Sequence, residues 1–187
     1  MVTHIVLDCK WIFGKMHGVP KMDYSYGMMQ RALDKLVIKI QESGYEYNEV
    51  YGISRGGIIP GLLLSYKLKL QFKPLAWSLR DHKTKDVIAL KKLCDTARDE
   101  PVLLVDDLID SGDTIYDIIG FMRRQYSMDD QLNLFSEHNE CKNNLHICTL
   151  LFNKDQKKVH RPKYCYEEFS RKERPEWINF WWERVNE

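Results

Sequence analysis

An α/β domain built on a central, mostly parallel sheet flanked by helices is the fold class that this 187-residue chain predicts. Short, wholly apolar runs such as Val102-Leu-Leu-Val105 suit strands buried on both faces of a parallel sheet. Between those runs, apolar residues recur at helical spacing, the alternation expected of βα units. Length and composition fit one domain with a sizeable core. Hydrophobic residues make up 44% of the chain, aromatics 12% and charged residues 29%, which excludes disorder and fibrous repeats.

The elements follow in chain order. Met1–Lys10 has no basic leader and reaches Asp8 too early for a signal peptide, so a cytoplasmic protein is expected. Residues 29–40 place Met29, Leu33, Leu36, Val37 and Ile40 on one helical face, and Gly44 follows as a stop signal. Glu49–Ser54 predicts a strand, and Arg55-Gly56-Gly57 a turn leading into a helix over Ile58–Leu68. Pro60 falls in that helix's first turn, where a missing N–H costs little. Residues 72–79 predict another strand and Arg80–Asp86 a strongly polar loop. The Val102–Val105 strand gives way to a loop over 106–114, after which Ile115, Ile118, Ile119 and Met122 repeat at helical spacing. Residues 127–144 are mostly polar and predict an exposed insertion; His146–Phe152 is the last clear strand.

Charge and cysteine usage exclude several functions. Twenty-eight Lys+Arg against 27 Asp+Glu give a net charge of +1, too little for general binding to a phosphate backbone. The longest apolar stretch, Ile58–Leu64, is far shorter than the roughly 18 residues that span a bilayer. The five cysteines are odd in number, scattered and never in a Cys-x-x-Cys pair, which fits a reduced intracellular protein. His138, Cys141, His146 and Cys148 lie close together, but their spacing matches no zinc ribbon or finger. An incidental polar loop is the better expectation.

The most informative segment is Val102–Thr114. Asp106 and Asp107 end an apolar strand, where adjacent carboxylates are poor structural choices. In open α/β sheets ligands bind beyond the strands' carboxyl ends. There, two acids can accept hydrogen bonds from vicinal hydroxyls or hold a hard cation. Asp110 opens the loop. Ser111, Gly112 and Thr114 are small, leaving backbone N–H groups and hydroxyls free to surround a phosphate at a helix start.

An apolar strand, two acids, two apolar residues and Asp-Ser-Gly-x-Thr together resemble the 5-phosphoribosyl-1-pyrophosphate (PRPP) signature of type I phosphoribosyltransferases. The resemblance implies that Asp106 and Asp107 bind the ribose hydroxyls, with Mg2+ as cofactor held through Asp107. It implies that Ser111, Gly112, Asp113 and Thr114 hold the 5′-phosphate, and that Asp110 faces the base as the catalytic group. Asp113 departs from the pattern, standing where Gly or a neutral residue is usual, and is expected to point outward. Ile53–Gly61 resembles the pyrophosphate loop of the xanthine-guanine and hypoxanthine-guanine branch, so Arg55 and Gly56 join the implied PRPP-binding residues. Ser78–Lys85 falls where the family has a lid, from which Arg80, Lys83 or Lys85 would reach the pyrophosphate; Leu79 replaces the family's Tyr.

Trp177, Trp181 and Trp182 are three of the chain's five tryptophans. Glu176–Glu183 resembles the Trp-Ile-x-Phe-Pro-Trp-Glu hood of xanthine-guanine-type enzymes, with Trp181 replacing Pro. This implies that Trp177 stacks on a purine and that the main chain at Ile178 reads its edge. Lys154 matches the lysine that contacts the 6-oxo group. The resemblance covers roughly 24–126 and 145–184. It implies one phosphoribosyltransferase domain over 1–187, with a core near 24–155 and a small C-terminal hood near 160–187, joined by the N-terminal arm.

The expected activity is therefore transfer of the phosphoribosyl group from PRPP to a purine base (guanine, xanthine or hypoxanthine). The expected assembly is a homodimer or homotetramer, with no membrane and no nucleic-acid partner. Alternatives are a PRPP-sensing, nucleic-acid-binding regulator on the same fold, which a net charge of +1 and the lack of an appended domain oppose, and transfer to another base.

Overall fold

A computed structural model describes residues 20–79, 84–126, 144–157 and 161–183. The 127–143 part of the expected insertion, with His138 and Cys141, lies outside them, as do Arg80 and Lys83. Eleven elements follow in order: β1 (Lys21–Tyr24), α1 (Tyr26–Gln41), β2 (Glu49–Ile53), α2 (Ile58–Leu68), β3 (Gln71–Leu75), α3 (Val87–Asp99), β4 (Val102–Ile109), α4 (Asp113–Tyr126), β5 (Leu145–Asn153), β6 (Tyr164–Phe169) and β7 (Trp177–Phe180). A 3-10 turn, Trp181–Glu183, follows. Among the described residues no helix is long and apolar enough to cross a membrane.

Five strands form an all-parallel sheet in the order β3-β2-β4-β5-β6. Both faces are covered, which is why β4 and β5 read as continuous apolar runs. Along β4, Leu103 and Val105 pack with Met29, Leu33 and Leu64 of α1 and α2. Val102 and Leu104 face the other way, onto Leu90, Leu93, Ile115 and Ile118 of α3 and α4. Each strand thus alternates between two apolar layers.

The helices start where local chemistry satisfies their free N–H groups. Ser25 Oγ accepts from Met28 N at 3.3 Å to cap α1, and Asp86 Oδ1 accepts from Ala89 N at 2.9 Å to cap α3. The α1 face carries Met29, Leu33, Leu36 and Ile40 inward, as the spacing predicts, and α2 occupies Ile58–Leu68. Helix α3 is an addition to the expected order. Leu90, Leu93, Cys94 and Ala97 recur at helical spacing between charged residues and are all buried.

Three expectations change. The strand expected to end at Val105 continues to Ile109, because β5 pairs with it through Asp106↔Thr149, Leu108↔Leu151 and Ile109↔Phe152. The strand expected over 72–79 stops at Leu75. His146–Phe152 is not the last strand: β6 pairs in parallel with β5, and β7 pairs in parallel with β1 as a separate two-stranded sheet. The hood boundary moves accordingly. Residues 164–169 extend the core sheet, and 177–180 pair with the N-terminal strand. Tyr24 meets Phe180 at 5.2 Å, and Phe180 stacks on Trp182 at 4.7 Å, anchoring that small sheet.

The expected tight turn after β2 is enforced by crowding. A Cβ on Gly57 would lie 2.2 Å from the Val105 carbonyl oxygen and 2.9 Å from the Ile53 backbone. Gly57→Ala should therefore destabilise the protein by about 1–3 kcal/mol, the usual cost of forcing atoms into a packed interior. Denaturant unfolding checks this; a variant as stable as the parent would show that the turn can move aside.

Candidate active site

The carboxyl ends of β2 and β4 and the loop before α4 face the hood strand β7 across one cavity. Asp106, Asp107, the loop 110–114, Arg171, Trp177, Ile178 and Glu183 all contribute to its walls. The acid pair, the 110–114 loop and the aromatic hood segment at Trp177 and Ile178, distant from the first two in sequence, therefore share one space.

Asp107 is 7% exposed. Its Oδ1 accepts from Leu108 N at 2.7 Å, while Asp106 Oδ1 accepts from Asp107 N at 3.1 Å. Burial raises both pKa values above the ordinary carboxylate range. The Asp107 charge raises that of Asp106 further, and Glu183 raises that of Asp107. Burial also raises Glu183, opposed by its hydrogen bond from Phe180 N and by the positive charge of Arg55. Three carboxyls thus crowd the cavity floor.

Gly56 explains how the turn after β2 meets this pair. A Cβ there would fall 2.3 Å from Asp107 Oδ1, so the backbone lies directly on the carboxylate. The glycine serves close approach to β4. Its exposed neighbour Arg55 sits near Glu183.

At the loop, Gly112 takes φ 78°, a left-handed conformation that favours glycine. Ser111 Oγ donates to Asp113 Oδ2 at 2.8 Å, and Tyr116 N donates to Gly112 O at 2.9 Å as α4 begins. Asp113, expected to turn outward, stays at the cavity wall with the Ser111 hydroxyl on its carboxylate.

Asp110 is held from two sides. Asn153 Nδ2 donates to Asp110 Oδ1 at 3.1 Å, and Arg171 Nε and Nη2 donate to Oδ1 and Oδ2 at 2.9 and 2.8 Å. Lys154, expected beside the base, is not part of the cavity wall. Its Nζ lies 3.8 Å from Glu173 Oε2, with both side chains largely exposed. Lys85 is likewise committed elsewhere. It pairs with Asp117 Oδ2 at 2.6 Å, which also accepts from Trp77 Nε1 at 2.9 Å. Trp77, Arg171 and Glu183 went unpredicted as cavity residues. Nothing in Ser170-Arg-Lys-Glu-Arg174 distinguishes Arg171 from its basic neighbours, whereas Glu183 closes the aromatic hood motif and was legible there.

The zinc pattern has a structural explanation for its described half. His146 is buried, hydrogen-bonded through Nδ1 to Tyr47 Oη and 3.1 Å from Lys163 Nζ at Nε2, and Cys148 is buried in β5. Among the described residues no cluster of three or more His, Cys, Asp or Glu could hold a metal by itself.

Paired acids at a strand's carboxyl end, followed by a small-residue loop at a helix start, place this cavity where open α/β sheets bind ligands. The model of the phosphoribosyl transferase domain family matches residues 25–184, and the chain belongs to that family. It is 31% identical over 102 residues to the xanthine-guanine phosphoribosyltransferase of Idiomarina loihiensis. That alignment covers 53% of this chain and 63% of the relative, so the chain spans a little under two thirds of its length. Among solved structures, a purine phosphoribosyltransferase from Pyrococcus horikoshii superposes with a TM-score of 0.59 at 20% identity, covering 89% of this chain and 97% of that one. The Helicobacter pylori xanthine-guanine-hypoxanthine phosphoribosyltransferase gives 0.57 at 15%, covering 89% and 94%. A hypothetical protein from Neisseria gonorrhoeae with bound ppGpp gives 0.62 at 21%, covering 91% and 93%. At these identities the likeness is one of fold.

The raised carboxyls give the empty protein a pH signature. Above the ordinary carboxylate range the folded chain retains protons that the unfolded chain has released. Unfolding then releases protons, so stability falls as pH rises through that window towards the folded-state pKa values. Asp106→Asn removes one titrating group from the buried pair. Its melting temperature without ligand should exceed the parent's at pH 8 and converge with it near pH 4. Thermal unfolding across that range checks this; parallel curves at every pH would refute it.

Proposed function

We propose that this protein transfers the 5-phosphoribosyl group from PRPP to a 6-oxopurine, yielding a nucleoside 5′-monophosphate and pyrophosphate. The observation that carries the proposal is the cavity itself: the acid pair and the 110–114 loop form one wall, Trp177 and Ile178 another. An extended sugar phosphate fits along the first, and a flat aromatic base against the second.

In this reading Asp106 and Asp107 accept from the ribose hydroxyls and fix the ring, while N–H groups of Ser111–Thr114 cradle the 5′-phosphate at the start of α4. Arg55 and the Gly56 backbone hold the pyrophosphate. Cleavage at the anomeric carbon builds positive charge on the ribose, which the carboxylates around it stabilise, and negative charge on the departing pyrophosphate, which Arg55 stabilises. Trp177 stacks on the base. Asp110 accepts the proton that the purine loses as its nitrogen attacks.

Magnesium fits the donor set. Asp106 and Asp107 offer only hard oxygen ligands, and burial leaves their charges in need of a cation. Two carboxylates do not make a complete protein site, so the remaining ligands would come from substrate oxygens and water. Bound there, magnesium would neutralise pyrophosphate charge.

Incubation with PRPP, magnesium and each of guanine, xanthine, hypoxanthine and adenine, followed by chromatography, tests the reading directly. Nucleotide should form from an oxopurine, stop in excess chelator and resume with added magnesium. No nucleotide from any base would overturn the assignment, and full turnover in chelator would overturn the metal.

Asp110→Asn keeps shape but cannot accept a proton. Its kcat should fall at least about a hundredfold, within the range of general acid–base contributions, with PRPP affinity little changed. A near-normal kcat with lost PRPP binding would instead make Asp110 part of the phosphate cradle.

A further inference from the structure

Asp110 and Trp177 reach the cavity from distant parts of the chain, and one side chain bridges them. Arg171, in the turn between β6 and β7, donates to both Asp110 carboxylate oxygens, at 2.9 and 2.8 Å. Its Nη1 donates to the Glu176 carbonyl at 2.6 Å, one residue ahead of Trp177. The guanidinium packs over the Phe169 ring, 5.0 Å from its centre, and its side chain is only 21% exposed. Arg171 thus lies on the cavity wall with its geometry held by a carboxylate, a carbonyl and an aromatic face.

A guanidinium carries five N–H donors and no acceptor. These three bonds use Nε–H and one hydrogen on each Nη, leaving one hydrogen on each Nη for a ligand. Resting on the purine reading above, we infer that Arg171 determines base selectivity, favouring an exocyclic carbonyl over an exocyclic amine, and positions Asp110 towards the bound base. A carbonyl oxygen accepts from the spare hydrogens. An amine in its place sets donor against donor and strands both groups away from water, which a hydrogen-bonding site penalises heavily. Lys154, expected beside the base, is turned to Glu173 at the surface.

The test compares hypoxanthine with adenine, bases that exchange a carbonyl for an amine at one position. Titration calorimetry on the full chain, with magnesium and a non-reactive carbocyclic PRPP analogue, measures binding apart from turnover. The parent should prefer hypoxanthine. Arg171→Met should weaken hypoxanthine by about 10- to 100-fold, the scale of losing a charge-assisted hydrogen bond, and leave adenine unaffected, so the preference collapses. Arg171→Lys keeps a donor but cannot grip both Asp110 oxygens; it should recover much of the hypoxanthine KM while kcat stays low. Arg171→Gln provides a second neutral variant, and circular dichroism shows whether each variant is folded.

An undiminished preference in folded Arg171→Met overturns the inference. Equal weakening of both bases, or a collapse produced by Lys154→Met alone, does the same. If the parent binds hypoxanthine selectively through Arg171 but forms no nucleotide, the transfer reading fails and the selectivity role stands. If it forms nucleotide while Arg171→Met keeps the preference, only the selectivity role fails. Binding of neither base to the parent removes both.

Discussion

The close approach of the β2 turn to the acid-bearing end of β4 is the constraint on which the rest of the site depends. Adjacent parallel strands bring Gly56 onto the Asp107 carboxylate and Gly57 onto the Val105 carbonyl, with no room for a side chain at either position. The turn shields the acids from water on one side, and β5 completes the enclosure through Thr149, whose hydroxyl donates to the Asp107 carbonyl at 3.2 Å. Two carboxylates held this way are destabilised as anions.

Asp110 follows a different logic. It is partly accessible and its charge is matched by a guanidinium fork rather than left waiting for a ligand. Arg171 also grips the strand that carries Trp177, so the loop before α4 and the small β1–β7 sheet are tied through one side chain.

A second tie runs along the other edge. Trp77 and Lys85 form an antiparallel bridge at the stem of the polar loop, and both engage Asp117 on α4. The helix whose first turn borders the 110–114 loop is thus fastened to the segment that follows β3. Lysine charge that the sequence offers to a ligand is consumed in holding this stem.

Local pattern was enough to determine the parallel α/β class, the helix over Ile58–Leu68 and the inward face of α1. Apolar periodicity and adjacent acids after an apolar run are nearest-neighbour features, written in the chain itself. The aromatic hood was legible too, as an ordered motif. What only the tertiary structure decided was which charges meet. Register with β5 carries β4 past its acids; pairing with Lys21–Tyr24 turns Trp177–Phe180 into a strand; and folding aims Arg171 at Asp110 while Lys154 turns to Glu173. Arg171 and Asp110 stand 61 residues apart, and no local preference separates one basic residue of a surface turn from the next. Long-range electrostatic partners are chosen by where the backbone brings side chains together, so they come into view only when the chain has folded.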